Sequence, residues 1–143
     1  MQKQPSPRRK PKIIVTDRDH ERLVSLAAAA LERAPEVAEE LLAEMDRAKV
    51  VSLRAAPENV VRMGSRVEYE TNDGKRRSVE LVYPAEADIA EGKVSIMTPI
   101  GTALIGLSPG QSIAWTARDG REHQLTVVGV APPAPDAAVA ASK

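Results

Sequence analysis

The chain has 143 residues, of which 43% are hydrophobic and 28% charged, and its formal net charge is zero. This length suits one compact domain with an appendage. Because cysteine is absent, disulfides and thiolate metal sites are excluded. No apolar run approaches the roughly 18 residues that a membrane-spanning helix needs, so we expect a cytoplasmic protein.

Charge is unevenly distributed along the chain. Residues 1–12 contain five basic side chains and no acidic one, and their proline content predicts a disordered basic tail. Residues 13–50 carry nine acids against five bases, and the remainder is close to neutral. This pattern argues against a large basic nucleic-acid surface on the folded part, and we expect no sequence-specific DNA binding.

Residues 13–54 are predicted to form a short antiparallel α-helical hairpin of the coiled-coil type. After the apolar run 13–15, Thr16 is a candidate N-cap for a first helix over Asp17–Leu31. Pro35 can begin a second helix, which we predict to run to Val50. A connection this short makes the two helices antiparallel neighbours.

Each predicted helix has one apolar stripe. On the second helix the stripe repeats at helical spacing, and it can pack either within the chain or across a dimer; we expect a monomer. The remaining polar positions are expected to face water. The stripe residues are Leu23, Leu26 and Ala30 on the first helix and Val37, Leu41, Met45 and Ala48 on the second, with Glu39, Glu40, Glu44 and Arg47 facing solvent.

Residues 55–130 are predicted to form a β-rich domain, followed by a low-complexity, disordered tail over 131–143. Two turn signals, Asn72-Asp73-Gly74 and Asp119-Gly120, indicate hairpins. Together with the alternating apolar residues, these turns predict five strands and one helix. This combination indicates an α+β fold in which an antiparallel sheet covers the helix. The predicted strands cover residues 61–70, 75–83, 93–96, 111–117 and 121–130.

The single helix of this domain lies in the stretch Lys93–Gly110, which reads KVSIMTPIGTALIGLSPG. Thr98 is a candidate N-cap, and Pro99 occupies the first helical position, where no N–H is needed. The glycines of GTALIG, residues 101–106, are interpreted as permitting close packing. The sequence Ser108-Pro109-Gly110 closes the helix with a turn.

This stretch resembles the C-terminal domain of the Gre transcript-cleavage factors. A resemblance to the Rnk family, historically called regulator of nucleoside diphosphate kinase, covers roughly residues 12 to 130. It rests on the ordered combination of several segments, none specific by itself. Besides residues 93–110, they are IIVTD at 13–17, AEMDRA at 43–48, SRV at 65–67 and LVYPA at 81–85.

The resemblance implies an FKBP-like sheet with its helix, and docking to RNA polymerase near its secondary channel. We expect Ile100 and Leu104 to be core. A Thr98→Arg, Gly101→Glu pair is expected to weaken docking and leave folding intact. Six residues match the family's polymerase-contact region, of which the middle four are expected to be exposed: Met97, Thr98, Pro99, Gly101, Thr102 and Ile105.

Transcript cleavage is not expected, although the resemblance raises it. Gre factors carry an Asp-x-x-Glu pair at the tip of a long coiled coil, where carboxylates can complete the coordination of a catalytic magnesium. Here the predicted tip contains Glu32, Arg33 and Glu36, so the acid spacing differs and a base intervenes. The Asp88–Glu91 match lies in a β-domain loop. The shorter arms would not reach the active centre.

The sequence also lacks the residues that other kinds of catalysis require. His20 and His123 lie in different predicted domains, without the further ligands of a metal site. There is no P-loop sequence for a nucleotide. Prolyl isomerisation, the activity of FKBP enzymes, needs an aromatic-lined pocket, and the chain has only three aromatic residues, with Trp115 expected in the core. We expect no enzyme activity, metal or cofactor.

The leading hypothesis is a polymerase-binding regulator of the Rnk type that competes with Gre factors. Two alternatives stay open: a regulator of nucleotide metabolism, as the historical name suggests, and a cleavage factor using Glu32 and Glu36. The basic tail is either a solubilising leader or an arm that touches polymerase or nucleic acid.

Overall fold

The computed structural model describes residues 10–116 and 119–133. The tails predicted at 1–12 and 131–143 lie mostly outside these ranges. Within the ranges, the chain forms a helical hairpin with a small two-stranded sheet at its base, followed by a five-stranded sheet with one helix. The α+β fold class is confirmed.

The hairpin consists of α1, Asp17–Ala30, and α2, Pro35–Arg47. Thr16 is the N-cap of α1 as predicted, because its Oγ1 accepts a hydrogen bond from the Asp19 N–H at 3.1 Å. Pro35 stands in the first turn of α2. The buried residues of the two helices are Leu23, Ala27 and Ala30 on α1 and Ala38, Leu41, Glu44 and Met45 on α2.

Two short strands that the sequence interpretation missed close the base of the hairpin. Strand β1, Ile14–Thr16, pairs in parallel with β2, Lys49–Val51. The prediction that α2 runs to Val50 was therefore wrong, since the helix ends at Arg47 and the chain turns extended. β-branched residues favour a strand here, but the pairing joins residues 35 positions apart, which local periodicity cannot reveal.

The larger sheet has five strands, and one helix, α3, follows the third of them in the chain. The bounds are β3 Arg66–Thr71, β4 Arg76–Val82, β5 Lys93–Ser95, α3 Pro99–Leu104, β6 Ser112–Thr116 and β7 Glu122–Ala131. The strand order in the sheet is β5-β4-β3-β7-β6. The predicted strands are all present, although β3 begins later than expected.

The expectation of a wholly antiparallel sheet was wrong, because β4 and β5 pair in parallel. The connection 83–92 makes two 3₁₀ turns and brings the chain back beside the middle of β4, where the Glu80 N–H donates to Gly92 O at 2.8 Å. Gly92 adopts a φ of 74°, which glycine accepts without strain. Parallel neighbours usually need a longer crossover, so the sequence did not indicate this one.

The hairpin and the sheet share one hydrophobic core. Ile13, Leu23 and Leu41 belong to the same buried cluster as Leu81 and Leu104. A backbone bond also joins the two parts, since the Ile14 N–H donates to Gly106 O at 3.2 Å. The direction of the hairpin is therefore fixed relative to α3.

Candidate functional site

A compact turn joins β5 to α3, and five of the six predicted contact residues lie either in this turn or in α3. Thr98 Oγ1 accepts from the Gly101 N–H at 3.1 Å, as an N-cap should, and donates to Ser95 O at 2.7 Å. Ser95 Oγ accepts from the Met97 N–H at 2.9 Å. Thr102 Oγ1 donates to Ile96 O at 2.9 Å. These bonds fix the backbone of the turn, so any surface it presents is preorganised.

The structure divides the six predicted contact residues into two groups. Met97, Thr98 and Pro99 are partly exposed, and so is Ile100, which also packs against the core. Gly101, Thr102 and Ile105 are buried. The expected exposure of Gly101 and Thr102 was therefore wrong, because this side of α3 packs against the end of β5. The accessible part of the predicted surface, hereafter the α3 edge, is residues 97–100.

Gly101 is required by the close approach of α3 to β5. A Cβ atom on Gly101 would lie 2.2 Å from Ser95 O and 3.0 Å from Ile96 Cα. The interpretation that the glycines of this helix permit close packing is confirmed at this position. Consequently, Gly101→Glu would disturb folding and cannot serve as a surface probe.

The hairpin tip presents Glu32, Arg33 and Glu36 to solvent, as predicted. The turn is closed by two hydrogen bonds to Ala30 O, from the Arg33 N–H at 3.2 Å and the Ala34 N–H at 2.8 Å. Across residues 10–116 and 119–133, no three His, Asp or Glu side chains come together as a metal site would require. The tip thus offers two solvated carboxylates with a guanidinium between them in sequence.

At the base of the hairpin, Glu44 of α2 forms a cluster with two basic side chains. Its carboxylate lies 2.7 Å from Lys10 Nζ and 2.8 Å from Arg47 Nη2. Arg47 also donates to the carbonyl of Pro11, and Gln111 Nε2 donates to Lys12 O at 3.1 Å. Among the described residues, contacts with the fold are therefore already present at Lys10, before the predicted boundary at Ile13.

Glu44 was predicted to face water, and this was wrong: it is only 2% exposed. Charged side chains are rarely this buried unless they are paired. The spacing of Glu44 and Arg47 at i, i+3 was a usable signal for one partner. Lys10 could not be foreseen, because it belongs to a segment assigned to the disordered tail.

The histidines and aromatic residues do not form a common site. His20 is partly buried and donates from Nε2 to Met45 O at 3.1 Å. His123 stacks on Trp115 with ring centroids 5.1 Å apart. Tyr83 lines a different groove from Trp115, so these two aromatic side chains do not share a pocket.

Residues of α1 and Tyr83 line an open groove of about 820 Å³, and Arg18 and Arg22 are among the α1 residues that line it. Beside it, Asp19 Oδ2 accepts from the Met63 N–H at 3.1 Å. Burial raises the pKa of the Asp19 carboxyl, and the bond from Met63 partly offsets this. Burial also raises the pKa of the Tyr83 hydroxyl, with the charge of Asp19 adding to it. Asp19 thus ties α1 to the sheet domain.

None of the helices in the described ranges is both long enough and apolar enough to cross a membrane.

Two family models match consecutive parts of the chain. The C-terminal domain model of the GreA/GreB transcription elongation factors matches residues 56–132. The model of the Rnk N-terminus matches residues 11–51. The first match covers the sheet domain with the α3 edge, and the second covers the hairpin.

Comparison with individual proteins also finds relatives of the Rnk and GreA types. The Escherichia coli K12 protein named "Regulator of nucleoside diphosphate kinase" is 38% identical over 120 residues, which are 83% of this chain and 88% of that protein. Transcription elongation factor GreA of Thermodesulfovibrio yellowstonii is 36% identical over 76 residues. The match covers 52% of this chain and 48% of that relative, so the chain spans about half of the relative's length.

A solved structure extends the likeness to the whole fold. The prokaryotic transcription elongation factor GreA/GreB from Nitrosomonas europaea superimposes with a TM-score of 0.68 at 34% identity, covering 84% of this chain and 99% of that one. These relatives are regulators or elongation factors rather than classical enzymes. The chain therefore belongs to the GreA/GreB family and carries the N-terminal hairpin of its Rnk members.

Proposed function

We propose that this protein is a cytoplasmic, monomeric regulator that binds RNA polymerase near its secondary channel, competes with Gre-type factors and does not stimulate transcript cleavage. The observation that carries the proposal is the pairing of a GreA/GreB-type C-terminal domain with a short Rnk-type hairpin. The α3 edge is the docking surface in this proposal. Its backbone is held by the Ser95, Thr98 and Thr102 hydrogen bonds, which limits the ordering cost of association.

The short hairpin is the reason why we propose no stimulation of cleavage. Helices α1 and α2 have 14 and 13 residues, so each arm is about 20 Å long at 1.5 Å per residue. The tip carboxylates of Glu32 and Glu36 are solvated, and Arg33 lies between them in sequence. A hard cation needs several oxygens held together, and this tip does not preorganise them.

A backtracked elongation complex with magnesium tests the proposal directly. We expect the protein to displace a Gre factor and to release no new short 3′ RNA fragments. Fragments that appear with the wild-type protein and vanish in the Glu32→Gln, Glu36→Gln variant would instead establish the cleavage-factor alternative. Failure to bind core polymerase would refute the proposal itself.

A substitution at Pro99 tests whether the α3 edge is the docking surface. Pro99→Arg should weaken polymerase binding by about tenfold, or about 1.4 kcal/mol, because a long charged side chain would stand at the centre of the α3 edge. Pro99 makes no N–H hydrogen bond, so the change should leave the fold intact. Titration of labelled core polymerase measures the affinity.

Pro109→Arg is the matched control for this test. Pro109 is also exposed, but it lies in the turn after α3, and its substitution should leave the affinity unchanged. Equal affinities for the two variants would show that the α3 edge is not the docking surface.

The name of the Escherichia coli relative favours a second candidate, regulation of nucleoside diphosphate kinase. A direct effect would change the activity of the purified kinase when the protein is added without polymerase. If the protein instead changes the amount of the kinase in cells, and Pro99→Arg abolishes this change, the effect on the kinase would be a consequence of polymerase binding.

A further inference from the structure

Two arginines of α1 stand where they do not stabilise the helix. Arg18 and Arg22 are one helical turn apart, and both are exposed. Like charges at this spacing repel each other, and cations in the first turns of a helix oppose its dipole. Among the described residues, neither arginine forms a salt bridge. The stability of α1 therefore gives no reason for this pair.

The groove lined by α1 and Tyr83 combines guanidinium groups with an aromatic ring. Its volume of about 820 Å³ lies within the range of roughly 300–1,000 Å³ that is typical of small-molecule sites. Leu26 and the ring of Tyr83 supply apolar surface beside the charged groups. The lining residues are Arg18, Glu21, Arg22, Ser25, Leu26 and Tyr83.

The acids near the groove do not pair with its arginines. Asp19 is close enough for both arginine charges to act on its pKa against the effect of burial, but its Oδ2 accepts from the Met63 N–H at 3.1 Å. Glu21 and Glu86 are exposed, and within the described ranges neither forms a salt bridge. Because guanidinium groups bind phosphate and carboxylate oxygens through paired N–H groups, both arginines are available to an oxyanion.

The hydroxyl of Tyr83 is an independent observation at the same groove. Its Oη is buried and has no hydrogen-bond partner in the part of the chain that the structure describes. Burial and the charge of Asp19 raise the pKa of this hydroxyl, whereas the neighbouring Arg22 lowers it. A buried hydroxyl without a partner is costly. When the exposed side chain of Arg22 turns toward a bound oxyanion, an oxygen of that ligand can accept the hydrogen of Oη.

We propose that the groove between α1 and Tyr83 binds a small phosphate-bearing molecule. The phosphate lies between Arg18 and Arg22 and accepts hydrogen bonds from both guanidinium groups and from the Tyr83 hydroxyl. The less polar part of the ligand packs on the Tyr83 ring and Leu26. Phosphate is favoured because its three terminal oxygens present more acceptor sites than one carboxylate. This binding does not depend on polymerase.

ADP is a suitable probe, because it joins phosphates to a planar base, and pyrophosphate and adenosine test its two parts. In titrations of the ¹⁵N-labelled protein, we expect ADP to shift the side-chain Nε–H signals of Arg18 and Arg22 and the amide signals of residues 18–26. Pyrophosphate should bind about tenfold more weakly, and adenosine should leave the arginine signals unchanged. Absence of ADP shifts would overturn the proposal, as would equal affinities for ADP and pyrophosphate, which would reduce the groove to a general anion-binding patch.

Two substitutions separate the groove from the overall charge of the hairpin. Arg22→Gln should weaken ADP binding about tenfold through lost charge-assisted hydrogen bonds, and its exposed position should preserve the fold. Arg33→Gln removes the same charge from the exposed hairpin tip and should leave ADP affinity unchanged. Equal losses in the two variants would show general electrostatic attraction and contradict the proposal.

Tyr83→Phe tests the hydroxyl separately from the ring. We expect this variant to bind ADP about fivefold more weakly, and to be at least as stable as the wild type in urea denaturation, because the lost hydroxyl had no partner among the described residues. Wild-type ADP affinity in Tyr83→Phe would refute the hydrogen bond from Oη and, with it, the proposed position of the phosphate.

An acidic side chain of a protein partner is the competing occupant of the groove. Titration of core polymerase with the Arg18→Gln, Arg22→Gln variant distinguishes the two, and we expect wild-type polymerase affinity together with lost ADP binding. Reduced polymerase affinity, in a protein whose wild type does not bind ADP, would assign the groove to the partner and overturn the proposal. If wild-type protein does not bind polymerase, the proposed function fails, while the ADP titration still decides the phosphate site.

Discussion

Replacing Gly101 by alanine should lower the free energy of unfolding by at least about 2 kcal/mol, as expected for overpacking at a rigid contact. The added Cβ would lie 2.2 Å from Ser95 O and 3.0 Å from Ile96 Cα, and both are backbone atoms that cannot swing aside. Alanine normally favours a helix over glycine by about 1 kcal/mol, so a net loss would show that the clash exceeds this gain. Urea denaturation measures the change.

Gly129→Ala is the control for this prediction. Gly129 lies in β7, its φ is not in the left-handed region, and a Cβ there would meet no atom within 4 Å. The substitution should be neutral or stabilising by up to about 1 kcal/mol. Similar unfolding free energies for the two variants would show that α3 can move away from β5, and that the α3 edge is less rigid than its hydrogen bonds indicate.

The Gly101 result also bears on function. Because α3 cannot retreat from β5 without breaking the Thr98 and Thr102 bonds, a substitution at 101 should alter the position of residues 97–100. We therefore expect Gly101→Ala to weaken polymerase binding through the shape of the α3 edge, whereas Pro99→Arg acts at its surface. The two can be distinguished because only the first changes stability.

Local signals predicted most of the secondary structure. Helix starts depend on neighbours within three residues, so they can be predicted directly from the sequence. The structure has the predicted N-caps Thr16 and Thr98 and the predicted first-turn prolines Pro35 and Pro99. The strands β3 and β4 were likewise indicated by alternation around the turn at residues 72–74. The same reasoning failed where the partner is remote.

The features that the sequence did not predict all depend on residues that are remote in the chain. The pairing of β1 with β2 and the parallel pairing of β4 with β5 depend on how the chain returns, which periodicity does not encode. At the candidate site, helical spacing correctly placed Leu104 in the core but did not tell which remaining side of α3 meets β5, so Gly101 and Thr102 were assigned to the surface. The burial of Glu44 likewise depends on Lys10, 34 positions away.

Glu44→Gln should destabilise the protein by about 2 kcal/mol. Breaking a buried ion pair from one side typically costs about 3–5 kcal/mol, but Lys10 and Arg47 have side chains 42% and 27% exposed, so solvent can rehydrate them and reduce the loss. Glutamine keeps one acceptor oxygen and places an amide donor against a cation. Glu39→Gln, on an exposed position of the same helix, should change stability by less than about 0.5 kcal/mol.

A double-mutant cycle with Lys10→Gln then separates the two partners of Glu44. If Lys10 holds the N-terminal segment through Glu44, the two substitutions should be coupled by about 1 kcal/mol or less, as for a half-exposed charge pair. The Lys10→Gln variant should also speed amide hydrogen exchange at Ile14 and Lys49, whose N–H groups bond to Gly106 O and Ile13 O, since the segment that leads into β1 would be released. Additive stabilities with unchanged exchange would mean that Arg47 and Gln111 alone fix the segment, and that the charge on Lys10 has no part in directing the chain onto α2.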